Sequence, residues 1–369
     1  MHVMNNTWRV SIILLNYNGK QFNKNCIDSL LRQTYNNYEI IFVDNKSTDW
    51  SLENVEKCYK KEIESWKIKI VKNNWNLWFA WWNNSWIPFV SKYSEYIRLL
   101  NNDTEIDKNC LFELIRWIEW DIDLWAVSSL VLDRWSEKLI SQKTREKNVI
   151  MTNIFWVQIW EKWKIKNDVY YTNFLCWCSF LYKKSLIDIP FFDFYKIYCE
   201  DTQLSWEILC KWYKLGVCIK SIVNHYWSAT MNKMSYNKIY LLTRNSFINF
   251  LVFVSKKMRI KMFIPFFIFH SLHLLFNYKE LKTLLKVDYD SIKRIRRNKD
   301  KIKLAENRIK ERMIISETEF LKKMPYKLVD RDLFSGNILV WYIIDTLNFL
   351  IKIYYKIFHI PYKDKIGWI

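Results

Sequence analysis

Short apolar, β-branched runs alternate with longer mixed stretches through the first third of the chain. Residues 10–16, VSIILLN, and 38–44, YEIIFVD, are continuous apolar runs of strand length, each ending on a polar residue. Unbroken apolarity at that length predicts strands buried on both faces. KIKIVK (67–72) alternates as a strand does, and further strands are predicted over 96–100 and near 125–132. Helices are predicted over 26–33 and 51–62, near 81–92 and 109–119, and over 202–211. Strands and helices alternating at this spacing predict a doubly wound α/β domain with a mainly parallel sheet.

From about residue 246 the pattern changes. Residues 247–276 are aromatic and apolar but broken by Lys256, Lys257, Arg259, Lys261 and Pro265. Residues 279–312 carry 13 Lys/Arg against 6 Asp/Glu, and a last apolar stretch, 337–360, contains Asp345 and several lysines. None reaches the roughly 20 uninterrupted apolar residues of a membrane-spanning helix. Aromatic faces with basic flanks predict helices lying on an anionic membrane surface, with packing onto the preceding domain as the alternative. The predicted division is an α/β domain over 8–245 and a basic, aromatic helical region over 246–369.

Composition adds an anomaly. The 369 residues include 4 Gly and 21 Trp. Ordinary usage of about 7% would give roughly 26 Gly, close to the two counts combined. The tryptophans stand where turns call for glycine: Asp49-Trp50, Asn74-Trp75, Ser85-Trp86, Arg134-Trp135 and Lys162-Trp163. Glycine reaches positive φ freely, whereas tryptophan there is strained and exposes a large ring. One reading is a tryptophan-rich surface for stacking on sugars or bases. The other is that UGA codons meaning Gly have been read as Trp, and both count and placement favour it. Trp206, inside a helical pattern, is the best candidate for a genuine tryptophan.

At 50% hydrophobic and 26% charged residues, the chain is neither disordered nor a many-span transporter. A net charge of +19 points to an anionic partner. The eight cysteines form no CxxC pair and no zinc-type cluster, which reads as reduced thiols in a cytosolic protein. The polar start MHVMNNT does not read as a secretory signal.

In an open α/β sheet, ligands bind beyond the carboxyl ends of the strands. Asn16, Asp44 and the run Asn101-Asn102-Asp103 are predicted there. No GxxxxGK[ST] and no GxGxxG follows the first strand, even with Trp reread as Gly, which disfavours P-loop and dinucleotide-binding proteins. A lone strand-end Asp is more often a helix cap, but three polar strand ends in register suggest a site.

Several stretches carry a resemblance: VSIILLNYNGK (10–20), EIIFVDNKSTDWS (39–51), NNWNLWFAWWNNSWI (73–87) and YIRLLNNDTEID (96–107). The pattern continues through FLCWCSFLYKKSLI (174–187), FFDFYKIYCEDTQLSW (191–206), HYWSAT (225–230) and LLTRN (241–245). Over roughly 8–250 it resembles family-2 glycosyltransferases, closest to the rhamnosyltransferase-like branch. Reread with Gly, the third stretch becomes NNGNLGFAGGNNSGI, a closer match.

The resemblance implies a GT-A nucleotide-diphospho-sugar transferase fold that binds a UDP-, dTDP- or similar sugar together with Mg²⁺ or Mn²⁺. Asp44 would accept from the pyrimidine N3–H. Asn16 and Tyr17 would line the base pocket, and Asn76, Asn83 and Asn102 would lie along the donor. Asp103 matches the last position of the family's Asp-x-Asp metal motif. Asn101 stands at the first, leaving one carboxylate for the metal. His225 matches a histidine that reaches the metal or diphosphate. Asp201 is the expected base for the acceptor hydroxyl, with Glu200 orienting the acceptor or its partner carboxylate.

A single base implies inversion at C1. The acceptor is expected to be a glycan or polyprenyl-linked, and the enzyme peripheral on the cytoplasmic face of the membrane, not secreted. A catalytically inactive sugar-binding relative is the alternative. Nucleic acid is not expected, because KRIRRNKDKIK (293–303) reads equally well as a solvated helix face or a membrane contact.

Overall fold

The computed structural model describes residues 9–76, 85–133, 149–155, 158–161, 168–175, 178–186, 192–226, 235–276, 278–329 and 338–363. The chain forms two compact units that interleave along the sequence. The first comprises Met1–Glu146, Lys164–Leu204 and Tyr213–Asn232; the second comprises Lys147–Trp163, Ser205–Trp212 and Lys233–Ile369.

The first unit opens with β1 (Arg9–Asn16), α1 (Lys20–Leu31), β2 (Tyr38–Asp44), α2 (Ser51–Cys58), α3 (Lys60–Glu64) and β3 (Ile68–Lys72). It continues with β4 (Ser94–Asn101), β5 (Thr104–Ile106), α4 (Cys110–Trp120) and β6 (Leu124–Asp133). After the hairpin β7 (Val149–Thr152) and β8 (Gln158–Glu161) of the second unit come β9 (Val169–Thr172), β10 (Ser179–Lys183), α5 (Glu200–Cys210), whose residues from Ser205 onward belong to the second unit, and β11 (Lys214–His225).

The sheet order is β3-β2-β1-β4-β10-β6-β11-β5, with β9 also paired to β11. β3, β2, β1 and β4 run parallel, as do β6 and β11, while β10 runs against both β4 and β6. This is the expected α/β sheet, parallel through β3, β2, β1 and β4. Register does the positioning: Asn16 pairs level with Asp44, and Leu15 with Asn101, so the polar strand ends arrive together. Ile12, Leu14, Ile40, Phe42 and Leu100 are core beneath them.

α1 starts six residues before the predicted helix. Its buried residues are Asn23, Cys26, Ile27, Ser29 and Leu30, whose first member is polar. Of the predicted helix near 81–92, residues 81–84 lie outside the described residues. Ser85 is helical, and a 3-10 turn, Ile87–Phe89, follows it. Pro88 has no N–H for an i−4 bond and its ring opposes a continuous helix there.

The second unit adds α6 (Tyr236–Phe253), α7 (Lys256–Lys261), α8 (Phe263–Phe276), α9 (Leu281–Arg297), α10 (Lys299–Arg312), α11 (Glu317–Leu321) and α12 (Ile338–Ile357). Ser235 and Ser255 cap α6 and α7, and Ser316 with Glu319 forms a reciprocal capping box on α11. Trp206 is buried edge-on against Phe253 and Phe320. By length and composition α12 is long and apolar enough to cross a membrane.

Three tryptophans adopt left-handed backbone: Trp50 (φ 63°), Trp66 (φ 61°) and Trp212 (φ 73°). Trp66 and Trp212 each sit two residues past a helix end, the place glycine takes in helix-terminating motifs. All three rings are exposed. The seven described cysteines are free thiols, and all but Cys58 are buried.

Candidate active site

A hydrogen-bonded cluster ties the strand ends together, with Asn16 at its centre. Its Nδ2 lies 2.7 Å from Asp44 Oδ1, 3.0 Å from Ser47 Oγ and 2.8 Å from Ser51 Oγ, so two N–H groups are shared among three acceptors. Its Oδ1 accepts from Asn23 Nδ2 at 2.9 Å and Asn102 Nδ2 at 3.1 Å. Asn102 also donates to Asn23 Oδ1 at 2.8 Å. Asp44 Oδ2 accepts from the Ser47 amide at 3.0 Å. Asn16, Asn23, Asp44 and Ser51 are buried, so each bond holds its partner in one orientation.

Gly19 lets the start of α1 close onto this cluster. A methyl there would overlap Asn102 Nδ2 and lie 2.7 Å from Asn16 Oδ1. The loops after β1 and β2 are cross-tied as well. Ser47 Oγ accepts from the Asn18 amide at 3.0 Å, and Asn18 Oδ1 accepts from the Thr48 amide at 2.8 Å. Burial alone would raise the Asp49 carboxyl, but the Ser51 hydroxyl and the amides of Lys20 and Ser51 outweigh it and hold it below the usual range.

The second group follows from the turn between β4 and β5. β5 pairs with the end of β11, setting Thr104 opposite His225. The Tyr226 amide donates to Asp103 O at 2.9 Å, and Asp103 Oδ1 meets His225 Nε2 at 3.1 Å. A carboxylate and an imidazole thus stand next to Asn102, both largely buried. Among the described residues no group of three or more His, Cys, Asp or Glu gathers at metal-binding distance.

The third group opens α5. Lys196, Tyr198 and Cys199 all have positive φ, a cluster of strained backbone immediately before Glu200-Asp201. Such strain persists only where the surroundings impose it, and it concentrates at functional sites. Glu200 is buried, and its Oε2 has no hydrogen-bond partner among the described residues. Burial, then the neighbouring Asp201 charge, push its carboxyl well above the usual range. Asp201 is half-buried, and its Oδ1 accepts from the Thr202 amide at 2.8 Å.

Asn16, Asp44 and Asn102 are therefore joined directly, and Asp103 with His225 adjoins them through the chain. Tyr17 is exposed beside Asn16. Asn76 is exposed and accepts from Asn45 Nδ2 at 2.9 Å, linking the loop after β3 to that after β2. Asn83 lies outside the described residues. Sequence reasoning missed Asn23, Ser47 and Ser51. The one available signal was Asn23, a polar residue one turn before the apolar Cys26, Ile27 and Leu30 of α1.

Residues 11–189, nearly half the chain, match the family model for glycosyl transferase family 2. A Haemophilus influenzae protein named as an uncharacterized glycosyltransferase is 25% identical over 254 residues, covering 64% of this chain and 75% of that protein. A similarly named protein of Rickettsia felis is 32% identical over 103 residues, 25% of this chain and 17% of its own length. Among solved structures, GalNAc-T7 with UDP, GalNAc and Mn²⁺ aligns at a TM-score of 0.52 and 14% identity, covering 67% of this chain and about half, 48%, of that one. At that identity the likeness shows the fold, which is GT-A. The match over residues 11–189 and the Haemophilus influenzae relative mark the protein as a glycosyltransferase.

Proposed function

We propose an inverting glycosyltransferase that moves a sugar from a nucleoside diphosphate to a glycan or polyprenyl-linked acceptor in cell-surface polysaccharide synthesis. It works peripherally on the cytoplasmic face of an anionic membrane. The observation that carries this reading is the level array of polar side chains at the ends of β1, β2 and β4, continued by the Asp103–His225 pair. Asn16, Tyr17 and Asp44 take the base; Asn76, Asn83 and Asn102 line the donor. UDP- and dTDP-sugars are the first donors to test, and the likeness to the rhamnosyltransferase-like branch puts rhamnose first among sugars.

Asp103 and His225 suit a divalent cation. Mg²⁺ is commonly held by one or two protein groups, with substrate phosphates and water completing the shell. Bound there, Mg²⁺ or Mn²⁺ would neutralise the charge that develops on the departing diphosphate. The GalNAc-T7 structure, which holds UDP and Mn²⁺, supports the pairing of nucleotide and metal.

Asp201 takes the acceptor hydroxyl's proton as that oxygen attacks C1 opposite the diphosphate. The C1–O bond to the diphosphate breaks, and the configuration inverts. Glu200 holds its own proton to a higher pH than an ordinary carboxyl, which limits like-charge repulsion beside the base.

We also infer that most tryptophans stand for glycine, encoded by UGA. The left-handed Trp50, Trp66 and Trp212 support this, and a run of UGG at positions 75, 78, 81, 82 and 86 would refute it.

Nucleotide release from a panel of UDP- and dTDP-sugars, with and without Mn²⁺, tests the function. Metal-dependent, acceptor-stimulated release is expected. Nucleotide binding without release, in protein made with the correct code, would mark an inactive sugar-binding module instead.

A further inference from the structure

We propose that α12, α7 and α8 form one membrane-docking face that lies in the plane of an anionic bilayer, with α12 not crossing it. This rests on the reading that the enzyme works at a membrane, and it assigns the surface that meets the lipid.

One side of α12 is already occupied. Ile344, Asn348, Ile351 and Tyr355 are buried at the spacing of a single helical stripe. Asn348 Oδ1 accepts from the Leu328 amide and its Nδ2 donates to Val329 O, each at 2.9 Å. The helix is thus pinned at its middle to its own unit. A spanning helix needs apolar surface all round, or helices packed about it within the bilayer. Here Asp345 and Lys356 are exposed instead.

The opposite side is open and mainly apolar, with Thr346 within it and Asp345 and Lys356 at its edge. Tyr342, Phe349, Ile353 and Ile357 are exposed, and at ~100° per residue they fall on one arc. The end of α12 is locked to the α7–α8 junction. Lys261 Nζ donates to Phe358 O and the Tyr354 hydroxyl to Lys261 O, both at 2.9 Å. At that junction Phe263 and Phe267, 63% and 60% exposed, lie side by side with ring centroids 6.4 Å apart. Lys256 and Lys257, exposed at the start of α7, precede Phe263 by one to two helical turns of chain.

Charge selects the occupant. Basic flanks on an aromatic centre fit anionic headgroups above an acyl boundary. A second copy of this chain would bring the same positive flanks against it.

The test is co-sedimentation of the full chain with vesicles of phosphatidylcholine containing phosphatidylglycerol, and with phosphatidylcholine alone. Wild type should bind the anionic vesicles. Phe267→Ser and Phe349→Ser should each weaken binding about tenfold, with unchanged circular dichroism because both side chains are exposed. Lys256→Gln with Lys257→Gln should cost about fivefold per charge on anionic vesicles only. If wild type does not bind, the membrane reading itself fails. If it binds and the Phe variants bind equally well, another surface makes the contact. If light scattering shows a wild-type dimer that the Phe variants abolish, the face is a self-association surface and the proposal is overturned.

Discussion

Replacing Asn16 with alanine removes the amide on which the strand-end cluster converges. Asp44 loses its 2.7 Å donor, and Asn23 and Asn102 lose a shared acceptor. A hydrogen bond to a charged group is worth about 2 kcal/mol and each neutral one about 1, which sums to about 4 kcal/mol. Water entering the vacated space returns part of this, leaving about 3 kcal/mol. For a unit of this size that corresponds to a fall in Tm of roughly 6–12 °C, readable by scanning fluorimetry. Donor affinity should fall with it, because Asp44 and Asn102 lose their common anchor.

Asn16→Asp keeps the shape but sets a carboxylate beside Asp44. Two such carboxyls share a proton, so one is held above its usual range. Stability should then be recovered as the pH falls and lost again as it rises. A Tm for Asn16→Ala within about 2 °C of wild type, with donor binding intact, would mean the cluster does not join the strand ends and the reasoning fails.

Asp201→Asn should abolish transfer while nucleotide binding, followed by calorimetry, stays nearly intact; wild-type turnover would remove Asp201 from the base role. Gly19→Ala drives a methyl into Asn102, so donor KM should rise at least tenfold, roughly the loss of 1.4 kcal/mol of binding; unchanged KM counts against the site. Trp66→Gly and Trp212→Gly relieve left-handed backbone, and each should raise stability by about 1 kcal/mol in urea unfolding. Glu200 has a folded-state pKa raised by burial and by Asp201, so its protonation supports the fold in acid and is lost as the pH rises towards that raised value. Glu200→Gln should therefore gain Tm relative to wild type on going from about pH 4 to pH 8, and a gap that stays flat would show that Glu200 is not buried as described.

Legibility in the sequence followed the depth of burial. β1 and β2 could be read because a parallel strand covered on both faces is apolar nearly throughout, and β4 because its run Tyr96–Leu100 is broken only by Arg98. The strand-end residues Asn16, Asp44 and Asn102 could be read because each breaks such a run. α1 was placed late because its first buried residue is Asn23, which looks like solvent-facing sequence. The short strands β5 and β9 have no pattern of their own; they exist because β11 is long enough to pair with both along one edge. Ser47 and Ser51 join the site only through the level register of β1 and β2, which a single chain does not display. Arg98 gave no warning either. It lies fully buried in an apolar strand, with Nη2 3.2 Å from Ser179 Oγ and 3.1 Å from Cys110 Sγ.

The strand order also sets a schedule for synthesis. β4 is flanked by β1 and β10, and β6 by β10 and β11. At ribosomal rates of ~5–20 residues per second, the roughly 80 residues separating β4 from β10 take about 4–16 s to appear. Throughout that interval the nascent chain carries the apolar edge of β4 unpaired, and for its last part that of β6 as well. Such edges pair readily with those of other chains. Translation speed between β4 and β10, and chaperones that shield strand edges, should therefore govern how much of this enzyme reaches its native sheet.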